Sequence, residues 1–164
     1  MKFTDDNLLT SNVKLIKELS EHFEKEHDLP PLASRIYSNL ILSEVESLTF
    51  EEIIKITSAS KSSVSNQLNF LIEEGRVDFY FKNDKRKRYF KTNQDYLKRT
   101  LELHLEKIQR EITMLSKIIC FKKDQDFNKT RVGIFKNHLE SEEKNIKATI
   151  EQLKQTSNNL EHEN

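Results

Sequence analysis

Tryptophan is absent from this chain, cysteine occurs once, and glycine and proline occur twice each in 164 residues. A lone Cys120 can neither close an internal disulfide nor build a cysteine-based zinc site, so redox stapling plays no part in the fold. Its place in the apolar run Ile118-Ile119-Cys120-Phe121 reads as plain packing. With so few breakers, long stretches run uninterrupted, which favours helix over sheet. No run of about 18 apolar residues exists, and the opening MKFTDDNLLTSN lacks the apolar core of a signal peptide. The expectation is a cytoplasmic protein with no membrane partner. Also missing are a glycine-rich phosphate loop, a nucleophile elbow and a metal-ligand cluster. His22, His27, His104, His138 and His162 form no i, i+4 pair and have no cysteine neighbour. No enzyme, catalytic residue, metal or cofactor is therefore expected.

An excess of charge is lacking too: 27 basic residues balance 27 acidic ones, whereas nucleic-acid-binding domains are usually basic. The distribution reverses that impression. Residues 76–91 hold seven basic side chains (Arg76, Lys82, Lys85, Arg86, Lys87, Arg88, Lys91) against Asp78 and Asp84, a net +5, so the remainder sums to −5. Such a pattern is a local polyanion site on a surface that elsewhere repels polyanions.

The length suits one compact domain with an elongated appendage, without a second independent core. Leu8, Leu9, Val13, Ile16, Leu19 and Phe23 recur at helical spacing over residues 5–27, and Pro30-Pro31 marks a boundary where the second proline can open the next helix. That helix, 31–44, packs through Leu32, Ile36, Leu40 and Ile41. Thr49 and Glu52 have capping-box spacing ahead of a helix over 50–57. Ser60 caps a further helix to Glu74, ended by Gly75 where a left-handed residue is wanted, with Val64, Leu68, Leu71 and Ile72 as its buried stripe. The period then changes to two. Residues 77–81 and 86–92 read as strands about a basic turn. Asn93 is placed as the cap of a long helix to 121, whose seam is Leu101, Leu105, Ile108, Ile112, Leu115 and Ile119. A last helix over 126–156 carries Val132, Phe135, Leu139, Ile146, Ile150 and Leu153, and residues 157–164 read as a frayed tail. These seams need a partner, and a second copy of the chain is the simplest one.

Two short helices joined by a tight turn, the second polar at its start and apolar behind, make a helix-turn-helix. The second presents Ser60, Lys61, Ser62, Ser63, Ser65, Asn66 and Gln67. Small hydroxyls allow close approach to a major groove, Lys61 and the helix N-terminus favour phosphate, and Asn66 and Gln67 can pair bidentately with adenine. The hairpin beside it offers Lys85 and Arg86 to a minor groove, with Asp84 placed to hold Arg86 in register, while Lys87, Arg88 and Lys91 read as phosphate contacts.

Residues 29–92 resemble the DNA-binding core of the MarR superfamily, most closely its GbsR-like branch. The matching features are Pro-x-x-Ala-x-Arg-Ile from Pro30 to Ile36, Ser-Lys-Ser-Ser-Val-Ser from Ser60 to Ser65, the stretch from Leu71 to Val77, and Asp-x-Arg from Asp84 to Arg86. Ser34 stands where that branch usually has glycine, and Arg76 where it has an apolar residue. The resemblance implies a homodimer with intertwined terminal helices, acting as a repressor on double-stranded DNA. The expected fold is mainly α: a winged helix-turn-helix with a two-stranded β wing and long N- and C-terminal dimerisation helices. Its segments are a dimerisation helix (1–28), the DNA-binding core (29–92), a helical dimerisation region (93–158) and a tail (159–164). The resemblance also implies a small-molecule effector between core and dimerisation helices. In the GbsR-like branch this is an osmolyte-type cation, for which Phe23, Tyr37, Phe50 and Tyr96 are the aromatic candidates beside their plainer reading as core. The competing reading is a winged-helix protein-interaction module that does not read DNA; it predicts a neutral or apolar wing, against the +5 segment.

Overall fold

The computed structural model describes residues 5–82, 86–122 and 126–162, with side chains described between 12 and 156 in those stretches. The chain divides into two compact units, the first ending at Asn93 and the second starting at Gln94.

In the first unit, α1 (Asp5–Glu26) closes with Asp28 in the left-handed region, φ 52°. The N–H groups of His27 and Leu29 both reach the Phe23 carbonyl at 3.2 Å. Helix α2 (Pro31–Ile41) has Pro31 in its first turn, where a missing N–H costs nothing. It ends three residues before the expected Glu44, and Ile41, expected in its packed stripe, is exposed. Ser34 and Ser38, four apart on its inner face, are fully buried. The Ser34 hydroxyl donates to the Leu29 carbonyl at 3.4 Å. That of Ser38 has no partner among the described residues, a desolvation cost of about 1–3 kcal/mol that a methyl group there would not incur.

Strand β1 (Leu48–Thr49) leads into α3 (Phe50–Thr57) through a complete capping box. The Glu52 N–H donates to Thr49 Oγ1 at 3.3 Å and the Thr49 N–H to Glu52 Oε2 at 2.7 Å. The Thr49 N–H first, then the Thr49 hydroxyl, which donates to the same Oε2 at 2.7 Å, hold the Glu52 carboxyl below its usual range, opposed by burial and helped by Lys82 and Lys87. Ser58 turns the chain at φ 53°. Helix α4 (Lys61–Glu73) ends in a Schellman pattern: Gly75 adopts φ 71°, the Arg76 N–H reaches the Leu71 carbonyl at 2.9 Å, and the Gly75 N–H reaches Ile72 at 2.9 Å.

Strands β2 (Val77–Phe81) and β3 (Arg88–Thr92) pair antiparallel with Phe79 opposite Phe90. The sheet has three strands in the order β1-β3-β2, not two, because Leu48 and Thr49 pair with Phe90 and Tyr89. The second wing strand starts at Arg88, and the expected strand residue Arg86 lies in the turn. Phe90, Leu48 and Val77 close the core over Ile36, Ile53, Val64, Leu68 and Leu71.

The second unit holds α5 (Tyr96–Phe121) and α6 (Lys129–His162). Asn93 does not cap α5: its N–H bonds the Arg76 carbonyl at 2.9 Å, and Asp95 holds the cap position. Helix α6 starts three residues later than expected and runs past Thr156 to His162, through the expected tail. A separate buried cluster forms here, where no second core was expected: Ile108 and Leu115 against Leu139, Ile146 and Ile150. His104 Nε2 and Glu142 Oε1, 3.0 Å apart, tie the two helices together. The α5 seam is thus covered within the chain and does not by itself call for a second copy. The seam shifts from Ile119 to Ile118 at its end, which places Cys120, about 200° further round the helix, in solvent and not in packing. No helix among the described residues is long and apolar enough to cross a membrane.

Candidate nucleic-acid interface

The first two turns of α4 are shaped by Ser60. Its Oγ accepts the Ser63 N–H at 3.2 Å and lies 3.1 and 2.8 Å from the Ser62 and Ser63 hydroxyls, which satisfies one donor at a helix start. Because Val64, Leu68 and Leu71 are fully buried, the helix is rolled so that Ser60, Lys61, Ser62, Ser63 and Asn66 are exposed, with Ser65 half-buried. Gln67 is also half-buried, and its Oε1 lies inside without a hydrogen-bond partner among the described residues; an adenine contact from Gln67 needs that side chain to turn outward. Asn69, which the sequence reading passed over, is exposed. It continues the face of Ser62 and Asn66, and the 62, 66, 69 spacing was its signal.

The helix-turn-helix is braced from behind. Arg35 on α2 donates through Nη2 to the Ile56 carbonyl at 3.3 Å, and the Ser58 N–H returns to Ile54 at 2.8 Å. Beside it, a groove of about 890 Å³ is lined by Val13, Ile16, Lys17, Leu32, Arg35 and Ile56.

The seven basic residues of the 76–91 stretch are not equivalent. Arg76 is 6% exposed, with its guanidinium 5.6 Å from the Tyr37 ring centroid, so it belongs to the interior. Burial, then the charges of Arg76 and His22, push the His27 imidazole below its usual range, with Glu26 opposing. Lys91 pairs with Glu46 at 3.0 Å and lies over Tyr80, which occupies a side chain expected to face phosphate. Lys82 sits 4.4 Å from the Tyr89 ring centroid. On that side of the sheet Tyr80 and Tyr89 stand 5.9 Å apart, and Tyr80 OH meets Ser47 Oγ at 2.9 Å. Arg86 and Lys87 are exposed at the turn. Arg88, half-buried, holds its guanidinium 5.4 Å from the centroids of both Phe79 and Phe90. Lys85 and Asp84, expected at the wing tip, lie outside the described residues.

Of the aromatic candidates for a cation cage, Phe23 and Tyr37 pack on one another at 4.9 Å in the core, with Phe50 against the same cluster. Tyr96 opens α5. Among the described residues no group of His, Cys, Asp or Glu side chains is placed to hold a metal ion.

The model of the bacterial regulatory proteins of the arsR family matches residues 40–78, from the end of α2 into β2. A crystal structure described as a transcriptional regulator superposes with a TM-score of 0.56 at 16% identity, covering 88% of this chain and 99% of that one. The fold is a winged helix-turn-helix. A MarR protein from Peptoclostridium difficile (21% identity, 93% of this chain and 95% of that one) and the apo form of MarR from E. coli (17%, 56% and 67%) both give a TM-score of 0.40, too low an overlap to add to that assignment. No curated protein matches the chain in sequence. Within the winged helix, α3 and α4 are the helix-turn-helix and β2 with β3 the wing.

Proposed function

We propose that the chain is a homodimeric, sequence-specific DNA-binding regulator of transcription, a repressor of the MarR kind working in the cytoplasm. The observation that carries this is the roll of α4: Val64, Leu68 and Leu71 are wholly buried, with Ile72 half-buried against the same core, while Lys61, Ser62, Ser63 and Asn66 are offered together to solvent. In a major groove, Asn66 reads base edges, the serines let the helix sit deep, and Lys61 meets phosphate. Arg86, Lys87 and Arg88 on the wing supply much of the affinity, with Arg86 the residue for a minor groove.

Dimerisation rests on apolar surface that each unit leaves uncovered. Val13 and Leu15 on α1 are exposed, as are Phe121, Phe127 and Ile134 around the α5–α6 connection, and a second copy covers such residues in an isologous contact. The groove between α1, α2 and the end of α3 is the place offered to a small-molecule effector.

Gel retention of duplex DNA tests this reading. Arg86→Ala is expected to weaken retention about tenfold, the equivalent of one charge-assisted contact. Equal retention by variant and wild type removes the wing from the interface.

A further inference from the structure

The wing carries a second kind of surface beside its charge. Strand pairing places Val77, Phe79 and Phe81 on the same side of the sheet as Phe90 and Arg88. Val77 and Phe90 are wholly buried in the core, but further out Phe79 and Phe81 are 41% and 51% exposed. Their rings meet edge to face at 5.8 Å. Arg88, paired with Phe81 across the ladder, lies over Phe79 and Phe90, and such cation–π stacking fixes a guanidinium while leaving its in-plane N–H donors available. The result is a preformed aromatic edge with a fixed cation on it.

We propose that Phe79, Phe81 and Arg88 join Arg86 in the surface the wing lays into a DNA minor groove, the two rings against the deoxyribose walls and the Arg88 guanidinium between the phosphate rows. Charge selects this occupant. Between residues 79 and 88 five basic side chains (Lys82, Lys85, Arg86, Lys87, Arg88) stand against one acid, Asp84, and Asp78, the acid on β2, is on the opposite face. A minor groove combines what the edge matches, negative potential with apolar sugar walls, and proteins that enter it pair arginine with apolar side chains. The proposal rests on the DNA-binding reading and adds to it a term that salt does not screen.

The test uses full-length protein and a duplex enriched by the wild type from a random-sequence pool. The chain has no tryptophan, so Phe81→Trp installs a single indole, whose emission is expected to shift when that duplex is added. Phe81→Ala is expected to lower affinity about tenfold with the salt slope unchanged, since a ring releases no counterions, while Arg88→Ala lowers affinity and makes the slope shallower by about one. Unaltered thermal unfolding of each variant shows that the fold is intact, and Phe81→Leu is expected to keep most of the affinity. Constant indole emission together with unchanged Phe81→Ala affinity overturns the proposal. So does an emission shift that follows protein concentration without DNA, which assigns the edge to a second copy of the chain. If the wild type enriches no duplex, the DNA-binding reading itself fails and the proposal falls with it.

Discussion

Between about 50 and 200 mM salt, binding to duplex DNA is expected to weaken about ten-thousandfold. The magnitude follows from the cations that the structure presents. Of the basic side chains that made the wing stand out, Arg76 is interior, Lys91 is held by Glu46, and Lys82 lies on Tyr89. Among the described residues, Lys61, Arg86, Lys87 and Arg88 are the cations that the proposed interface turns towards phosphate, four in each protomer of the proposed dimer. A dimer that neutralises about eight phosphates has a log–log salt slope of about −7, and a monomer with the same contacts about −3.5. Measuring retention across a salt series therefore tests both contact number and stoichiometry. A flat response contradicts a phosphate-based interface.

Phe90→Ala is expected to remove about 3–5 kcal/mol of stability, the range for losing a buried aromatic ring. The ring is wholly buried, lies on the central strand of the sheet, opposes Phe79 and Leu48, and closes the core above α2 and α4. A cavity at that point undermines the wing and the platform under the recognition helix together. Set against a typical domain stability of about 5–15 kcal/mol, this is a large share. Urea unfolding is expected to show a lower midpoint with an unchanged slope, whereas Val45→Ala, on an exposed site, is expected to stay within about 0.5 kcal/mol. A loss below about 1 kcal/mol at Phe90 would refute the packing described.

Features governed by local chemistry were legible in the residues alone. The Thr49–Glu52 box, the Ser60 cap and the left-handed Gly75 each depend on two or three neighbouring side chains, and each forms where its pattern stands. Strand β1 was not legible, because two residues carry no period; Leu48 and Thr49 become a strand only through β3. The α5 stripe showed that something must cover it but not what, since a heptad seam fits another helix of the same chain as well as one from a second copy. Charge counting likewise registered Arg76 as surface. Its burial against Tyr37 follows from the turn at Gly75, which aims the next side chain inward. On the recognition helix, the exposure of Asn66 and the half-burial of Gln67 depend on how far α4 rolls to bury Val64 and Leu68, a rotation set by packing.

The claim that the first turns of α4 read bases is tested most directly by selecting duplexes from a random-sequence pool with wild type and with Asn66→Ala. The wild type is expected to recover a pseudo-palindromic site, with half-site centres about 34–36 Å apart, one helical turn, or a multiple of that. The variant is expected to lose preference at one base pair in each half-site while still binding DNA, a discrimination of about 1–3 kcal/mol. Recovery of an identical site by both proteins, or of no shared site by the wild type, contradicts it.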